Sequence, residues 1–146
     1  MIYNFGIVCY LMLVICYFAL KTLTLHSLQC ENKPMPIEKA KKHFLGKEGH
    51  IKLDCAQAIL RAFAHLDPEM KETLCKGGGR APGGLCGAYC AAKYLLEKKC
   101  PEKLKEFEEH FQKLAGSLKC DEIRKLRKLS CLGCVEKAAE FLHKQT

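Results

Sequence analysis

Cysteines are the residues whose type and spacing point most directly to chemistry in this sequence. The chain carries 11 cysteines among 146 residues, and three of them bound or interrupt the glycine-rich stretch "CKGGGRAPGGLCGAYC", at Cys75, Cys86 and Cys90. A thiolate is both a nucleophile and a soft ligand for iron or zinc. Because an odd number of cysteines leaves at least one thiol over, disulfide pairing alone does not account for them. The count favours thiol or metal chemistry.

The glycine-rich stretch does not have the pattern of a phosphate-binding loop. It contains neither GxxxxGK followed by Ser or Thr nor GxGxxG, and no strand precedes it. The stretch instead predicts a loop before a helix that begins near Gly84, with Cys86 in the first turn. Free N–H groups and the helix dipole stabilise a thiolate there, and Lys76 and Arg80 add positive charge. The alternative is a tight turn in which Cys86 and Cys90 are small buried hydrophobic residues.

A second cysteine motif lies near the end of the chain. Cys131 and Cys134 form a CxxC pair that a helix would place on one face. A thioredoxin motif requires a βαβ context, covalent haem attachment requires histidine where Val135 stands, and a paired zinc knuckle requires a second CxxC. None of these is present, so the pair by itself leaves its chemistry open.

The elements that must position these cysteines are all predicted to be helical. From Ile37 onward, apolar residues recur at helical spacing between Gly and Pro residues, and no alternating run indicates a strand. Pro68 predicts a short helix ending near Cys75, Gly116 ends a later helix, and Ser130 is a favourable N-cap for the last one. The sequence therefore predicts an all-α, compact helical bundle, with apolar stripes over Leu53–Phe63, Ala88–Leu96, Leu104–Leu114 and Val135–Leu142.

The N-terminal segment predicts one hydrophobic helix ahead of the bundle. Residues 1–20 carry no charged side chain and are long enough to cross a bilayer, and lysines follow them. We expect a single-pass membrane anchor over residues 1–24, a linker over 25–36, and a cysteine-rich redox domain over 37–146 on the cytoplasmic side. The segment lacks the basic start and the small-residue cleavage site that a cleaved secretory signal would have. Translation from Met35 would instead give a soluble cytoplasmic protein.

The net charge of +8 does not indicate nucleic-acid binding. Basic residues are spread over every predicted helix without interleaved aromatic residues, which is typical of a solvated surface. Beside a membrane the same charge favours contact with anionic lipid. The histidines have no metal-ligand spacing, and we assign them no role.

Four segments together resemble a known family. "DCAQAILRAF", "GGGRAPGGLCGAYCAA", "LAGSLKC" and "CLGCVEKAAEFL" are similar, in order and spacing, to the redox-active proteins named for the pattern C, GCAxxG, C, C. The resemblance covers Asp54 to Leu142 and implies that the family's cysteines are Cys55, Cys86, Cys120 and Cys131. Ala91 stands where the family tends to have glycine. The additional cysteines of the domain are Cys75, Cys90, Cys100 and Cys134.

The resemblance implies redox chemistry through clustered cysteines, either as thiols or with a bound metal or iron–sulfur centre, and the redox partner is unidentified. Four thiolates from separate helices suit an iron–sulfur cluster or zinc, because soft sulfur ligands select these ions. A similar domain bears the cysteines of split-Soret cytochromes, which implies electron transfer. Cys90 and Cys134 are the candidate substitutes, because each lies within one helical turn of a pattern cysteine. Two alternatives remain open: a thiol–disulfide relay without metal, and a non-catalytic helical interaction module. Whether the protein is an enzyme is left open.

Overall fold

The computed structural model describes residues 35–71, 73 and 75–146, which belong to one compact unit. It contains six α-helices and, in the described residues, no strand; the all-helical prediction is confirmed. An isolated antiparallel bridge joins Leu85 to Lys119. The helices are α1 Pro36–Leu45, α2 Cys55–Ala62, α3 Gly87–Lys99, α4 Leu104–Ala115, α5 Cys120–Leu126 and α6 Cys131–Gln145, with short 3-10 turns at Ala64–Leu66, Pro82–Gly84 and Pro101–Lys103.

Local sequence accounts for where the site-bearing helices begin. Asp54 and Gln57 form a capping box at α2: the Asp54 carboxylate accepts from the N–H of Gln57 at 2.9 Å, and the Gln57 side chain accepts from the N–H of Asp54 at 3.4 Å. Ser130 caps α6 through a hydrogen bond from the N–H of Gly133 at 3.0 Å. Gly116 ends α4 at a φ of 83°, a conformation that favours glycine. The predicted N-cap and the predicted stop are both confirmed.

Helix α6 lies at the centre of the bundle. It contacts α1, α2, α3 and α4, and α2 and α3 also pack on each other. Its inward face contains Val135, Ala138, Ala139 and Leu142, all buried as the spacing predicts. An aromatic cluster joins α6 to α3 and α4: its members are Phe141 of α6 and Tyr89, Phe107 and Phe111. Contacting ring centroids lie 5.0 to 5.8 Å apart, within the range of favourable aromatic pairs.

Two details of the predicted helices are wrong. The described residues after Pro68 form a turn, in which the N–H of Met70 donates to the Asp67 carbonyl. A tertiary contact holds Asp67 in place, because the Tyr94 hydroxyl donates to its carboxylate at 2.9 Å. The helix predicted to begin near Gly84 begins at Gly87. Gly83 and Gly84 have φ values of 70° and 72°, which an α-helix cannot contain, so Cys86 becomes the N-cap rather than a first-turn residue.

The predicted hydrophobic helix over residues 1–20, with the anchor and most of the linker, lies outside the described residues. Within the part of the chain that the structure describes, no helix combines the length and apolar character needed to cross a bilayer. The membrane anchor and the cytoplasmic placement of the domain remain predictions.

We expect Phe111→Ala to lower the free energy of unfolding by about 3 to 5 kcal/mol, because the ring is fully buried between Tyr89 and Phe107 and its loss leaves a cavity. Urea denaturation followed by circular dichroism measures this. Lys105→Ala, on the exposed side of the same helix, is the matched control and should change the value by less than about 0.5 kcal/mol. Equal effects of the two substitutions would contradict the assignment of Phe111 to the core.

Candidate functional site

Five cysteine side chains line one cavity of about 310 Å³. They come from four separate segments of the chain: the start of α2, the N-cap of α3, the start of α5 and the first turns of α6. The remaining lining side chains are mainly apolar or basic. The cysteines are Cys55, Cys86, Cys120, Cys131 and Cys134, and the other lining residues are Ile123, Arg124, Arg127, Leu129 and Ser130.

The glycine-rich loop places Cys86 beside the start of α5. The N–H of Cys86 donates to the Leu118 carbonyl at 2.8 Å, next to the bridge between Leu85 and Lys119. Gly79 packs on Cys120, because a β-carbon at that glycine would lie 3.3 Å from the Cys120 β-carbon. The loop therefore packs on Cys120, one of the cavity cysteines, and forms the turn into α3.

A second close contact brings Cys55 to the N-terminus of α3. A β-carbon at Gly87 would lie 2.9 Å from Cys55 Sγ, 2.8 Å from the α-carbon of Gly77 and 3.0 Å from the Lys76 carbonyl oxygen. All three distances are too short for an unshifted side chain. Glycine at position 87 is thus what allows the loop backbone, α3 and the Cys55 sulfur to meet.

The two cysteines of α6 reach the cavity to different depths. Cys134 is buried, whereas Cys131 is exposed. Both line the cavity, as their spacing on one helical face allows. Because Cys134 lies on α6, the central helix of the bundle, the packing of that helix holds Cys134 next to Cys86.

Cys86 and Cys134 interact directly. The Cys134 thiol donates a hydrogen bond to Cys86, which lowers the pKa of Cys86 to about 6 from an ordinary value of 9.0. Burial opposes that shift, while the N–H groups of Ala88 and Tyr89 and the charge of Arg124 add to it. The same hydrogen bond, followed by burial, raises the pKa of Cys134. Cys86 is therefore the thiolate of this pair and Cys134 the protonated thiol.

The other buried cysteines are harder to ionise. Burial is the main cause that raises the pKa of Cys55, and the N–H groups of Gly78 and Ala88 act against it. Burial likewise raises the pKa of Cys120, against the attraction of Arg124. Arg124 also forms a hydrogen bond with Cys131, and the charges of Cys120 and Cys131 raise the pKa of its guanidinium. Arg124 is the cation that balances negative charge on several cavity sulfurs at once.

The remaining described cysteines lie outside the cavity. Cys75 and Cys90 form a disulfide with their α-carbons 6.0 Å apart, a normal separation for such a bond. Cys100 Sγ lies 3.7 Å from the Gln145 carbonyl oxygen. Of the two candidate substitutes, the structure brings Cys134 to the pattern cysteines and does not bring Cys90.

The sequence reasoning did not find Arg124. It placed the positive charge near Cys86 on Lys76 and Arg80, but Arg80 donates to the Gly77 carbonyl at 3.1 Å and pairs with Asp54 at 3.7 Å. The available signal was spacing, since Arg124 lies four residues after Cys120 and therefore on the same helical face. That signal becomes specific only once α5 is known to border the cavity.

The donor set of this cavity is all sulfur, which suits iron–sulfur centres and zinc. A single zinc ion requires ligands that converge on one point at about 2.3 Å. Among the described residues, no group of three or more His, Cys, Asp or Glu is placed to hold a metal ion in that way.

The fold and the site together define a helical domain with its cysteines gathered around one cavity. Residues 53–145 match the family described as "Putative redox-active protein (C_GCAxxG_C_C)", and the chain belongs to that family. The resemblance drawn from the sequence is confirmed. No curated protein and no solved structure matches the chain.

In metal-free protein, we expect alkylation of Cys86 by iodoacetamide to rise with pH and to reach half of its maximal rate near pH 6, because only the thiolate reacts. Cys134→Ala removes the largest cause of the shift, so the midpoint should move upward toward 9. Peptide mass spectrometry at a series of pH values measures the rate at Cys86 alone. A midpoint near pH 8 to 9 in both proteins, the range of a free cysteine, would contradict the proposed hydrogen bond.

Proposed function

We propose that this protein transfers electrons and that its cavity holds an iron–sulfur centre through Cys55, Cys86, Cys120 and Cys131. The observation that carries the proposal is the convergence of cysteines from four separate segments on one cavity. A structural role would not need sulfur at those positions, since alanine or serine of similar size would fill the same space. Membership of a redox-active family supports the same conclusion.

The cavity favours a cluster over a single ion. In a cluster, metal atoms and sulfide separate the protein ligands, so the cysteines need to surround a volume. The cavity of about 310 Å³ provides that volume, and the described residues provide no three-ligand site for one ion. When bound, such a centre supplies reversible one-electron transfer.

Residues of the chain prepare the cavity for negatively charged sulfur. Cys86 is already a thiolate near neutral pH, for the reasons given above. The N–H groups of Gly78 and Ala88 act on Cys55, and Arg124 acts on Cys120 and Cys131. Backbone donors and a nearby cation stabilise negative charge on sulfur and raise the reduction potential of a bound centre. Ile123 and Leu129 limit the access of water to the cavity.

Cys134 gives the cavity five thiols for four ligand positions. Its protonated state and its hydrogen bond to Cys86 make it a donor to a ligating sulfur rather than a ligand in this arrangement. We therefore assign Cys134 to the positioning of Cys86.

The Cys86–Cys134 contact also supports a second candidate function, a thiol–disulfide relay. In such a relay the Cys86 thiolate attacks a substrate disulfide, forms a mixed disulfide and expels one substrate thiol. Cys134, after losing its proton, attacks Cys86 and expels the second thiol, so that the substrate gains two electrons and the protein gains a Cys86–Cys134 disulfide. A low pKa on the attacking thiol and a neighbouring resolving thiol are the features that this chemistry needs.

We expect full-length protein purified without oxygen to contain iron and to absorb visible light, and we expect Cys86→Ala to lose both while it stays folded, because removing one small side chain costs only about 1 kcal/mol. Iron analysis and absorption spectra measure the loss, and circular dichroism checks the fold. The matched control is Cys100→Ala, outside the cavity, which should keep its iron. Equal loss of iron from the two variants would overturn the assignment of the site.

Cys134→Ser separates the two candidate functions. If the cavity holds a cluster on the four pattern cysteines, this variant should keep most of its iron and show an altered absorption spectrum. If the protein is a relay, wild-type protein should contain no iron, and mild oxidation should produce a Cys86–Cys134 disulfide that Cys134→Ser cannot form. Iron analysis and peptide mapping of the same samples distinguish these results.

A further inference from the structure

The disulfide between Cys75 and Cys90 lies outside the cysteine cavity, next to a loop segment that packs on two of the cavity cysteines. It joins the residue before the glycine-rich loop to the first turns of α3, across 15 positions of sequence. Neither cysteine belongs to the four-cysteine pattern, and neither lines the cavity. The function proposed above therefore makes no use of them.

The five residues that follow Cys75 do not line the cavity but pack on two of its cysteines, Cys55 and Cys120, and we call residues 76–80 the wall segment. Gly77 packs on Gly87, the N–H of Gly78 acts on Cys55, and Gly79 packs on Cys120. Each of the three glycines thus contacts part of the cysteine site. Any movement of the wall segment would change the surroundings of Cys55 and Cys120 together.

Apart from the disulfide and the glycine packing, the contacts of the wall segment within the described residues are a few hydrogen bonds and one exposed ion pair. The N–H of Gly77 donates to the Asp54 carboxylate at 3.0 Å, and the Arg80 side chain donates to the Gly77 carbonyl at 3.1 Å. The ion pair between Arg80 and Asp54 spans 3.7 Å, and the Arg80 side chain is 69% exposed, so it contributes little. Gly78 and Gly79 have φ values of 70° and 79° and gain much backbone freedom on release.

We propose that the Cys75–Cys90 disulfide is a second redox site, which accepts two electrons from a dithiol and thereby releases the wall segment from the cysteine cavity. The partner is defined by its chemistry as a dithiol reductant, either a small molecule or a protein. The inference does not rest on the iron–sulfur proposal, because it concerns different cysteines and a different readout.

Access to the disulfide determines how the reaction begins. Cys75 is only 3% exposed, whereas Cys90 is partly exposed. One thiolate of the dithiol attacks Cys90 Sγ, forms a mixed disulfide and expels Cys75 as a thiolate, which takes up a proton. The second thiolate of the reductant then attacks the reductant sulfur of the mixed disulfide. This step forms the disulfide of the oxidised reductant and expels Cys90 as a thiolate, which also takes up a proton. Two electrons and two protons are thus transferred, leaving two protein thiols and an oxidised reductant.

Reduction then acts on the cavity through the wall segment. With the crosslink intact, Cys75 is tied to α3 close to Gly87, and the wall segment has little room to move. After reduction, the segment keeps its packing on Gly87 but is joined covalently to α3 only through the chain that leads to Cys86. The contacts of Gly78 with Cys55 and of Gly79 with Cys120 are then loosened, so the reactivity of these two cavity cysteines depends on the state of the Cys75–Cys90 pair.

Hydrogen–deuterium exchange of the full-length protein, before and after treatment with dithiothreitol, tests this inference. We expect the amides of residues 76–80 to exchange about tenfold faster after reduction. A crosslink that closes a loop of 15 residues can stabilise the closed state by a factor of roughly 100 in its equilibrium constant, and local opening of the segment uses part of that factor. Alkylation and mass spectrometry of the folded protein should show two new thiols, at Cys75 and Cys90. Exchange in α4, which carries neither cysteine of the crosslink, should not change.

The variants make the result specific. The double variant Cys75→Ser, Cys90→Ser should exchange rapidly over residues 76–80 whether or not dithiothreitol is present. Cys100→Ser is the matched control and should behave as the wild-type protein does, with slow exchange that speeds up on reduction. Absence of the crosslink from oxidised wild-type protein, reduction only after unfolding, or unchanged exchange in the reduced wild-type protein would each overturn the proposal. Iron analysis of the same samples reports on the cluster proposal separately.

Discussion

The site depends on a backbone contact that side chains would prevent. Gly77 in the loop and Gly87 at the start of α3 lie so close that a β-carbon on Gly87 would meet the Gly77 α-carbon at 2.8 Å. A β-carbon on Gly77 would in turn meet the Asp54 side chain at 2.7 Å. Because Asp54 caps α2 immediately before Cys55, this contact sets the distance between the start of α2 and the start of α3. The meeting of Cys55 and Cys86 follows from it.

The same region determines the charge of the cysteines. Burial alone would keep the buried cavity thiols protonated, as the raised pKa values of Cys55 and Cys120 show. Three kinds of donor oppose burial: the Cys134 thiol, backbone N–H groups at the start of α3, and Arg124. They act most strongly at Cys86, where together they lower the pKa by more than burial raises it. One thiolate among protonated thiols is an asymmetry that suits either a prepared ligand set or an attacking nucleophile.

Most of the fold was predictable because the signals that define its helices are local. Helical spacing identified the buried residues of α6, and Ser130 and Gly116 marked helix ends through capping and a positive φ. The helix predicted after Pro68 was wrong because Asp67 is held by Tyr94, which is distant in sequence. The start of α3 was misplaced by three residues because Gly83 and Gly84 adopt conformations that a pattern of glycines permits but does not specify.

Residue types and short spacings alone predict that the domain is helical, that it belongs to the C_GCAxxG_C_C family, and that Cys86 lies at a helix start. These properties depend on residue types at short spacing. Tertiary packing establishes which thiols meet. Cys134 and Cys90 both lie within one turn of a pattern cysteine, but Cys134 joins the cavity and Cys90 pairs with Cys75. Packing also makes Arg124 the cation of the site. The physical reason is that a sulfur or a guanidinium acts over a few ångströms, and the packing of α2, α3, α5 and α6 sets those distances between residues far apart in the chain.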